Sequence, residues 1–528
     1  MNTPPRFTPF LLRSIYFFQI VFLGAAYYLR NKGYSVDDSF ITFRYAYHLK
    51  EGFGLVFNVG ENYYGTTAAG YAVVLAIVSS ALDVLFRLAG NANLPTIQNV
   101  SVAFSALSLG VIAACLPFVF RASKSASHWI VCAVFATYLF VGFPFNEVAG
   151  HETYAFLGIA FLATVLAENR QAMLSGLILG VAAAFRPDAV LLVPILVLFG
   201  WIQSQLGWRA YLANRNFWRF CIGFALVVVP WLLYLWLHFG QPTPGTMDAK
   251  RAQVALGSWP LYNPINLLKY LASSGFAVLS IMSIGLLATF WLLIKHWGFA
   301  GLYKDRGIFI ALVWLLFGLG SVCAYFLFNV TFWNWYGVPV LFSLGVPCFV
   351  GWRIISDKMS STSAQLTHNK NYAALVRISP AIILLGVLLS GYGKFSTWYS
   401  NPHISSHIHA YEDIARYLVR AEPAGTTIQM CEPGSFGFGL GPKFKVIDEL
   451  GLVTPAVAKA LLNGDYGFAT RTYKAKYLVC SCALPYLECA KSDLLEHYDF
   501  VGQGNVNFWG PKIGHGARLF RRKLEAPN

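Results

Sequence analysis

Two adjacent carboxylates, Asp37 and Asp38, follow the first long apolar run of this 528-residue chain. Charged side chains at the edge of a membrane segment cost free energy unless they are solvated or paired, so they usually mark a functional site. Helix N-capping is the competing interpretation, but it accounts for only one of the two residues. The pair therefore indicates general-base catalysis, in which a carboxylate takes the proton of an attacking hydroxyl.

Three further groups of polar residues stand between later apolar runs. The first pairs a histidine with a carboxylate, the second is an Arg-Pro-Asp sequence, and the third contains two adjacent cations. An ion pair that only stabilises the fold is the alternative for the Arg-Pro-Asp sequence. Cations at headgroup depth suit a phosphate carried on a lipid, so together with the carboxylates they predict glycosyl transfer from a lipid-linked sugar phosphate. These residues are His151, Glu152, Arg186, Asp188, Lys250 and Arg251.

The composition requires a membrane to position these groups. Hydrophobic residues make up 56% of the chain, charged residues 12%, and the mean hydropathy is +0.53. A soluble protein carries about 25% charged residues, so a single soluble domain and a disordered chain are both excluded. The net charge of +15 indicates cytoplasmic loops that face anionic lipid, and we expect no nucleic-acid partner.

The distribution of apolar and polar residues divides the chain into two predicted domains. Long apolar runs fill residues 1–395 and predict an all-α polytopic membrane domain with about 11 spans plus interfacial or re-entrant helices. Short alternating segments in residues 396–528 predict a soluble α/β domain. Its predicted helices are 411–421, 455–462 and 485–496, and its predicted strands are 426–430, 445–447, 476–479 and 498–501.

The basic residues set the predicted orientation. Fifteen of them, including Arg121, Arg306 and Arg353, fall on one side of the membrane only if segment 66–89 does not cross it. We therefore interpret 66–89 as a re-entrant or interfacial helix pair. The C-terminal domain and the loops with the polar groups then share the outer side, where a lipid-linked donor would be met.

Four cysteines of the C-terminal domain allow two interpretations. In an oxidising compartment they would form two disulfides, for which three connectivities are possible. A zinc site is the alternative, although a Cys-x-Cys pair followed six residues later by another cysteine is not a common zinc spacing. The four residues are Cys431, Cys480, Cys482 and Cys489.

A glycine-rich stretch at 434–441 follows a predicted strand and invites comparison with a phosphate-binding loop. Such a loop requires a helix N-terminus directly after its glycines. In this chain a proline and a further predicted strand follow instead. The stretch is therefore predicted to be a turn.

The first outer loop carries a resemblance to a known family. Asp37-Asp-Ser-Phe-Ile-Thr-Phe-Arg44, with the later segment that ends at Glu61, resembles the corresponding loop of bacterial GT-C glycosyltransferases, in particular arabinofuranosyltransferase-like proteins related to the mycobacterial terminal arabinosyltransferase. The segment Gly150-His-Glu-Thr resembles that group's Gly-Met-Glu-Thr motif, and Arg-Pro-Asp188 resembles its Arg-Pro-Glu. Asp-Ala-Lys250 resembles Tyr-Ala-Lys, and the segment 448–452 resembles an Asp-x-x-Gly-Leu signature of the soluble domains.

The resemblance implies a reaction and a set of roles. The donor would be a polyprenyl monophosphate sugar, with inversion at the anomeric carbon and with neither a nucleotide sugar nor a metal at the site. Asp37 is expected to be the base, Asp38 its orienting partner and Glu152 an auxiliary carboxylate. Lys250, helped by Arg44 and Arg251, is expected to hold the donor phosphate. The remaining substrate-binding residues are expected to be Glu61, His151, Arg186 and Asp188.

The family also implies a location and partners. The protein would be a multi-pass protein of the bacterial inner membrane with its C-terminal domain in the periplasm, and the acceptor would be a cell-envelope glycan, a glycolipid or a protein. Two other function classes remain open. A transporter or flippase of lipid-linked saccharides would be expected to show internal repeats and midspan charges, which this sequence lacks. A scaffold that binds partners through its C-terminal domain is the third class.

Overall fold

The computed structural model describes residues 9–122, 126–142, 148–257, 262–273, 283–287, 289–291, 305–365, 403–482, 488–491, 493–503 and 517–523. The predicted span at 378–395, part of the predicted span at 267–294 and the predicted domain boundary at 395 lie outside these residues. The membrane helices are α1 (Pro9–Asn31), α2 (Asp37–Lys50), α3 (Ala69–Leu88), α4 (Ile97–Val119), α5 (Ala126–Val141), α6 (Glu152–Glu168), α7 (Ala172–Phe185), α8 (Leu192–Ser204), α9 (Trp208–Leu212), α10 (Arg215–Phe239), α11 (Thr246–Ala255), α12 (Pro264–Ser273), α13 (Arg306–Leu327) and α14 (Asn334–Gln365).

The predicted helical membrane domain is confirmed. Within the described residues, seven helices are long and apolar enough to cross a membrane, and two shorter apolar helices accompany them. Small residues let these helices approach closely, as expected where packing rather than the hydrophobic effect drives association. A Cβ atom on Gly176 would lie 2.2 Å from the Phe220 carbonyl oxygen, and one on Gly223 would lie 2.3 Å from that of Met173. These two glycines set the tight contact between α7 and α10.

Ion pairs collect at one end of the helix bundle. Arg353 on α14 donates to Asp305, which caps α13, at 2.6 Å, and Arg306 lies 3.3 Å from Glu168 at the end of α6. Arg121, which follows α4, lies 4.0 Å from Asp305. Three loops that were predicted to be cytoplasmic therefore meet at the same end of the bundle. That this end faces the cytoplasm stays a prediction.

Segment 66–89 differs from its prediction in form. It contains one continuous helix, α3, rather than a pair, and this helix is long and apolar enough to cross a membrane. It lies beside α2 along its length: Thr42 and Thr66 hydrogen bond at 2.9 Å near one end, and Lys50 lies 2.5 Å from Asp83 near the other. Because α2 packs on the C-terminal domain, this parallel contact favours an interfacial position, and the absence of a crossing stays a prediction.

The C-terminal domain is a small α/β unit. Its helices are α15 (His403–Ala421), α16 (Gly434–Leu440), α17 (Pro455–Leu462), α18 (Phe468–Tyr473) and α19 (Leu494–His497), and its strands are β1 (Thr427–Met430), β2 (Lys445–Asp448), β3 (Tyr477–Cys480), β4 (Tyr498–Gln503) and β5 (Arg518–Arg522). The strand order is β2-β1-β3-β5-β4, in which β1 pairs in parallel with β2 and β3, and β5 pairs antiparallel with β3 and β4.

Two sequence predictions for this domain are wrong. The helix predicted at 485–496 is broken, because its described residues form a short 3-10 turn, Glu488–Ala490, and the one-turn helix α19. The glycine-rich stretch is not a turn but the helix α16. Glycine is a poor helix former, so propensity alone argues against α16. The contacts of α16 with α2, described below, stabilise it.

The Asp-x-x-Gly-Leu signature of the resemblance has a structural role. Asp448 is buried and accepts hydrogen bonds from the backbone N–H groups of Leu450 at 2.8 Å and Val453 at 3.1 Å. Gly451 adopts a positive φ of 80°, which glycine tolerates best. A Cβ atom at this position would also lie 2.4 Å from the Ala458 backbone nitrogen. The signature therefore fixes the turn after β2 against α17.

The disulfides resolve the open alternative for the cysteines. Cys431 pairs with Cys482, and Cys480 pairs with Cys489. The connectivity gives a testable prediction: peptide mapping of the unreduced protein should find these two cross-links. Recovery of a Cys431–Cys480 or Cys431–Cys489 peptide would contradict it.

Replacing both Cys431 and Cys482 with Ser should cost about 2–5 kcal/mol of stability, measured as the free energy of unfolding of the C-terminal domain.

The C-terminal domain and the segment that contains α2 and α3 share one hydrophobic core. Phe438 on α16 packs against three aromatic rings of α2. The centroid distances are 5.6 Å to Phe40, 6.4 Å to Phe43 and 6.1 Å to Tyr47. Residues of α2, α3, β1, β2 and β3 are buried in the same cluster. The soluble domain therefore packs directly on the loop that carries the predicted catalytic carboxylates.

Candidate active site

Arg186 is the centre of a buried polar network at the other end of the bundle. It follows α7 in extended conformation, because the next residue, Pro187, disfavours a continued helix. Its guanidinium donates to the Asp188 carboxylate at 2.8 Å and to the hydroxyl of Thr153 at 2.9 Å. The Tyr325 hydroxyl at the end of α13 also donates to Asp188 at 2.5 Å. The predicted Arg-Asp pair therefore exists and ties together three helix ends.

His151 and Glu152 extend this network at the start of α6. The Nδ1 atom of His151 accepts from the Thr153 backbone N–H at 3.3 Å and lies 2.7 Å from the Thr153 hydroxyl, while Nε2 lies 3.3 Å from the Glu152 carboxylate. Burial, and then the charges of Arg186 and Lys250, lower the pKa of His151. Because Nδ1 accepts a hydrogen bond, the proton of the neutral ring lies on Nε2, which faces Glu152. Both ring nitrogens are used inside the protein, in place of the predicted contact with substrate.

Lys250 and Asp38 form the second part of the site. The Lys250 ammonium on α11 lies 3.6 Å from the Asp38 carboxylate, and it lies 5.2 Å from the centre of the Trp333 ring and 5.9 Å from that of Trp335. The Lys250 side chain is only 8% exposed, whereas that of Asp38 is 29% exposed. A partly exposed carboxylate next to a buried cation is an arrangement that can take a proton beside an anionic leaving group.

Trp335 joins the two parts into one site. Its ring lies 5.7 Å from the His151 ring and 5.9 Å from the Lys250 ammonium. The carboxylate of Asp38, the Lys250 cation and the Arg186 network thus meet where α2, α6, α7, α11 and α14 begin or end. The structure therefore brings these separate loops together for this set of residues.

Asp37 lies outside this convergence. Its Oδ1 atom accepts hydrogen bonds from the Ser435 backbone N–H at 2.8 Å and from the Ser435 hydroxyl at 2.6 Å. Gly434 allows the close approach, since a Cβ atom there would lie 2.1 Å from the Asp37 carbonyl oxygen. The carboxylate thus caps the N-terminus of α16, where helices favour negative charge. Its contacts are those of a structural residue rather than of the predicted base.

Arg44 and Glu61 also serve the interface with the C-terminal domain. Arg44 is fully buried, and its guanidinium donates to the carbonyl oxygens of Phe57 at 2.7 Å, of Phe444 at 3.0 Å and of Gly437. Glu61 forms an ion pair with Lys445 on β2. The prediction that Arg44 binds the donor needs correction, because its guanidinium is fully buried and hydrogen bonded within the protein. The Glu61 side chain is 40% exposed, and its binding to the donor stays a prediction.

Arg251 lies away from Lys250, because neighbouring residues on a helix are about 100° apart. Its side chain is 47% exposed and its partner is Asp248, 3.9 Å away on the same helix. The predicted help to Lys250 is therefore not provided by a contact in this structure. For metal ions, the described residues contain no group of three or more His, Cys, Asp or Glu side chains placed to hold one.

Several residues of the site were not found by sequence reasoning. Thr153 and Tyr325 complete the Arg186 network, and Ser435 holds Asp37 from almost 400 residues away in the chain. The only local signal was the run of aromatic residues that contains Trp333 and Trp335, which stands in a predicted outer loop. Ordinary Thr, Tyr and Ser residues carry no such signal.

The comparisons with known proteins concern the fold. No protein-family model and no curated protein matches this sequence. Among solved structures, the crystal structure of ArnT from Cupriavidus metallidurans in the apo state is similar, with a TM-score of 0.55 and 12% sequence identity over 91% of this chain and 92% of that chain. ArnT is a GT-C glycosyltransferase. At this identity the similarity concerns architecture alone, and with the helical bundle and the C-terminal sheet it shows that this chain has the GT-C glycosyltransferase fold.

Proposed function

We propose that this protein is an integral membrane glycosyltransferase that moves a sugar from a polyprenyl monophosphate donor to an acceptor hydroxyl, with inversion at the anomeric carbon. The observation that carries the proposal is the contact between Asp38 and Lys250, at 3.6 Å, at the convergence of helix ends in a GT-C fold. A base and a phosphate-binding cation side by side are what this reaction needs. The motif resemblances in the outer loops support the same donor class.

In the proposed mechanism Asp38, rather than Asp37, is the base. The acceptor oxygen attacks the anomeric carbon as its proton passes to the Asp38 carboxylate. The bond between the anomeric carbon and the phosphate oxygen breaks, and its electron pair leaves with the polyprenyl phosphate. Lys250 stabilises the charge that develops on that phosphate. Phosphate is a good leaving group, so a general acid is dispensable.

The Arg186 network gives the site its shape. Glu152 has a side chain only 5% exposed and is held between His151 and Arg186, which lies 3.5 Å from it. We assign Glu152, Arg186 and Asp188 to the wall that positions the substrate, since buried and mutually paired groups keep one geometry. In this scheme Glu152 is an auxiliary carboxylate that does not itself take the acceptor proton.

The finer features of the function rest on the family resemblance. A pentofuranose such as arabinose is the donor sugar that we propose to test first. The proposed acceptors are a cell-envelope glycan, a glycolipid or a protein. We propose the bacterial inner membrane as the location, with the C-terminal domain in the periplasm.

Reconstitution distinguishes the proposal from a transporter. Purified protein in liposomes would be given polyprenyl monophosphate carrying radiolabelled arabinose, other pentoses or hexoses, together with delipidated cell-envelope acceptors. The proposal expects label to move from the lipid to an acceptor. Movement of the intact labelled lipid across the bilayer, without loss of its sugar, would support a flippase and contradict the proposal.

Metal removal provides a further prediction. Because the proposed reaction uses Lys250 to neutralise the leaving phosphate, we propose that it is metal-independent. Transfer rates should change by less than about twofold after treatment with excess EDTA, whereas metal-assisted catalysis typically supplies several kcal/mol. A large loss of rate that Mg²⁺ or Mn²⁺ restores would show that this part of the proposal is wrong.

A further inference from the structure

The loop that connects α13 to α14, residues 328–333, is rich in aromatic residues. The loop is fixed to the helix that carries Lys250: the buried Thr331 hydroxyl donates to the side-chain carbonyl oxygen of Gln253 at 3.2 Å. Gln253 is three residues after Lys250 and therefore lies on the same face of α11. A further contact of the loop is the hydrogen bond that the Tyr262 backbone N–H donates to the Val330 carbonyl oxygen at 2.9 Å. The loop thus holds Trp333 at a fixed position beside Lys250.

Trp333, the last residue of this loop, stacks on Trp335 at the start of α14. The rings of Trp333 and Trp335 have centroids 5.1 Å apart and planes only 5° apart. The Lys250 ammonium contacts both rings, and the contact with Trp333 is the shorter. Stacking and cation contact together leave the Trp333 ring few orientations, so its indole N–H has a defined direction on a ring whose centre lies 5.2 Å from the ammonium.

The indole N–H of Trp333 is buried without a hydrogen-bond partner among the described residues. A buried tryptophan N–H normally finds an acceptor, because leaving it unpaired is unfavourable. The unpaired donor therefore belongs to a ring that contacts Lys250, the cation 3.6 Å from Asp38.

We propose that Trp333 is a second phosphate ligand: its indole N–H donates to a phosphate oxygen of the lipid-linked donor, while Lys250 binds the same phosphate. This inference rests on the proposed function and deepens it. The ligand class is a phosphate ester, because a neutral donor and a cation at one place suit an anionic oxygen. A sugar hydroxyl would use the N–H but would leave the cation without a matching charge.

The test measures binding of polyprenyl monophosphate, without a sugar, to the purified protein in nanodiscs, with neutral polyprenol as the comparison lipid. Trp333→Phe keeps an aromatic ring and removes the N–H. Because one hydrogen bond to a charged group is lost, the dissociation constant for polyprenyl monophosphate should rise about 10- to 100-fold, with little change for polyprenol. Trp201→Phe is the matched control, since that indole donates to the Leu206 carbonyl oxygen outside the site, and it should bind as the wild type does.

The outcomes separate this inference from the proposed function. If the wild type binds polyprenyl monophosphate and Trp333→Phe binds it equally well, the inference is overturned and the proposed function is untouched. An equal loss for polyprenol would assign Trp333 to the lipid chain and would also overturn it. A wild type that binds neither lipid contradicts both proposals. The thermal unfolding midpoint checks folding, and Trp333→His, which restores a ring N–H, should recover part of the lost affinity.

Discussion

Replacing Asp38 with Asn should lower kcat by about 10²–10⁴-fold, which is the usual contribution of a general base. The substitution is nearly isosteric, and Asp38 is partly exposed with Lys250 as its charged partner, so the protein should fold normally. Donor affinity should change little, because Lys250 keeps its contacts with the rings of Trp333 and Trp335. Steady-state rates of sugar transfer, with donor and acceptor varied separately, provide the measurement.

Asp37→Asn is the matched control for this prediction. Asn retains an oxygen that can accept both hydrogen bonds from Ser435, so the rate should fall by about tenfold or less. If Asp37→Asn abolished transfer while Asp38→Asn kept it, Asp37 would be the base, as the family resemblance implied. If both variants kept near-normal rates, neither carboxylate would be the base.

Replacing Arg44 with Met should detach the C-terminal domain from α2. Met preserves much of the packing of the Arg stem but leaves three buried carbonyl oxygens, those of Phe57, Gly437 and Phe444, without their donor. Each unpaired buried group costs about 1–3 kcal/mol, so we expect a loss of at least about 3 kcal/mol in the free energy of unfolding. Thermal unfolding and limited proteolysis of the C-terminal domain measure it.

Arg251→Met provides the comparison for Arg44. Arg251 is half exposed and its partner Asp248 is equally exposed, so removing the charge should alter stability by about 0.5 kcal/mol or less. Equal effects of the two substitutions would contradict the structural role of Arg44. If an Arg44 variant folded as well as the wild type but had a raised KM for the donor, the result would show that Arg44 binds the donor phosphate.

The sequence predicted those features that depend on local pattern. Apolar runs located most membrane helices, and the carboxylates and cations at their ends located Asp38, Glu152, Arg186 and Lys250. Successive spans run in opposite directions, so the C-terminal end of one span and the N-terminal end of the next lie on the same side of the bundle. The site's overall position therefore followed from hydropathy and charge.

Contacts between residues that are far apart in the sequence could not be predicted in this way. Asp37 and Asp38 have the same charge and adjacent positions, and their difference arises from Ser435, which lies 398 residues away. Arg44 resembles a phosphate ligand in sequence, but Gly437 and Phe444 of the C-terminal domain occupy its guanidinium. The helix α16 was missed for the same reason, since contacts with α2 override the low propensity of its glycines.

The most direct test of the proposed function is the stoichiometry of transfer by the purified protein. Polyprenyl monophosphate carrying a radiolabelled sugar would be incubated with protein and acceptor, and both the freed polyprenyl phosphate and the labelled acceptor would be measured over time. We predict one polyprenyl phosphate released for each sugar transferred by the wild type, and almost none of either product from Asp38→Asn. Label that stays on the lipid across the whole panel of sugars, with a correctly folded wild type, would contradict the proposed function.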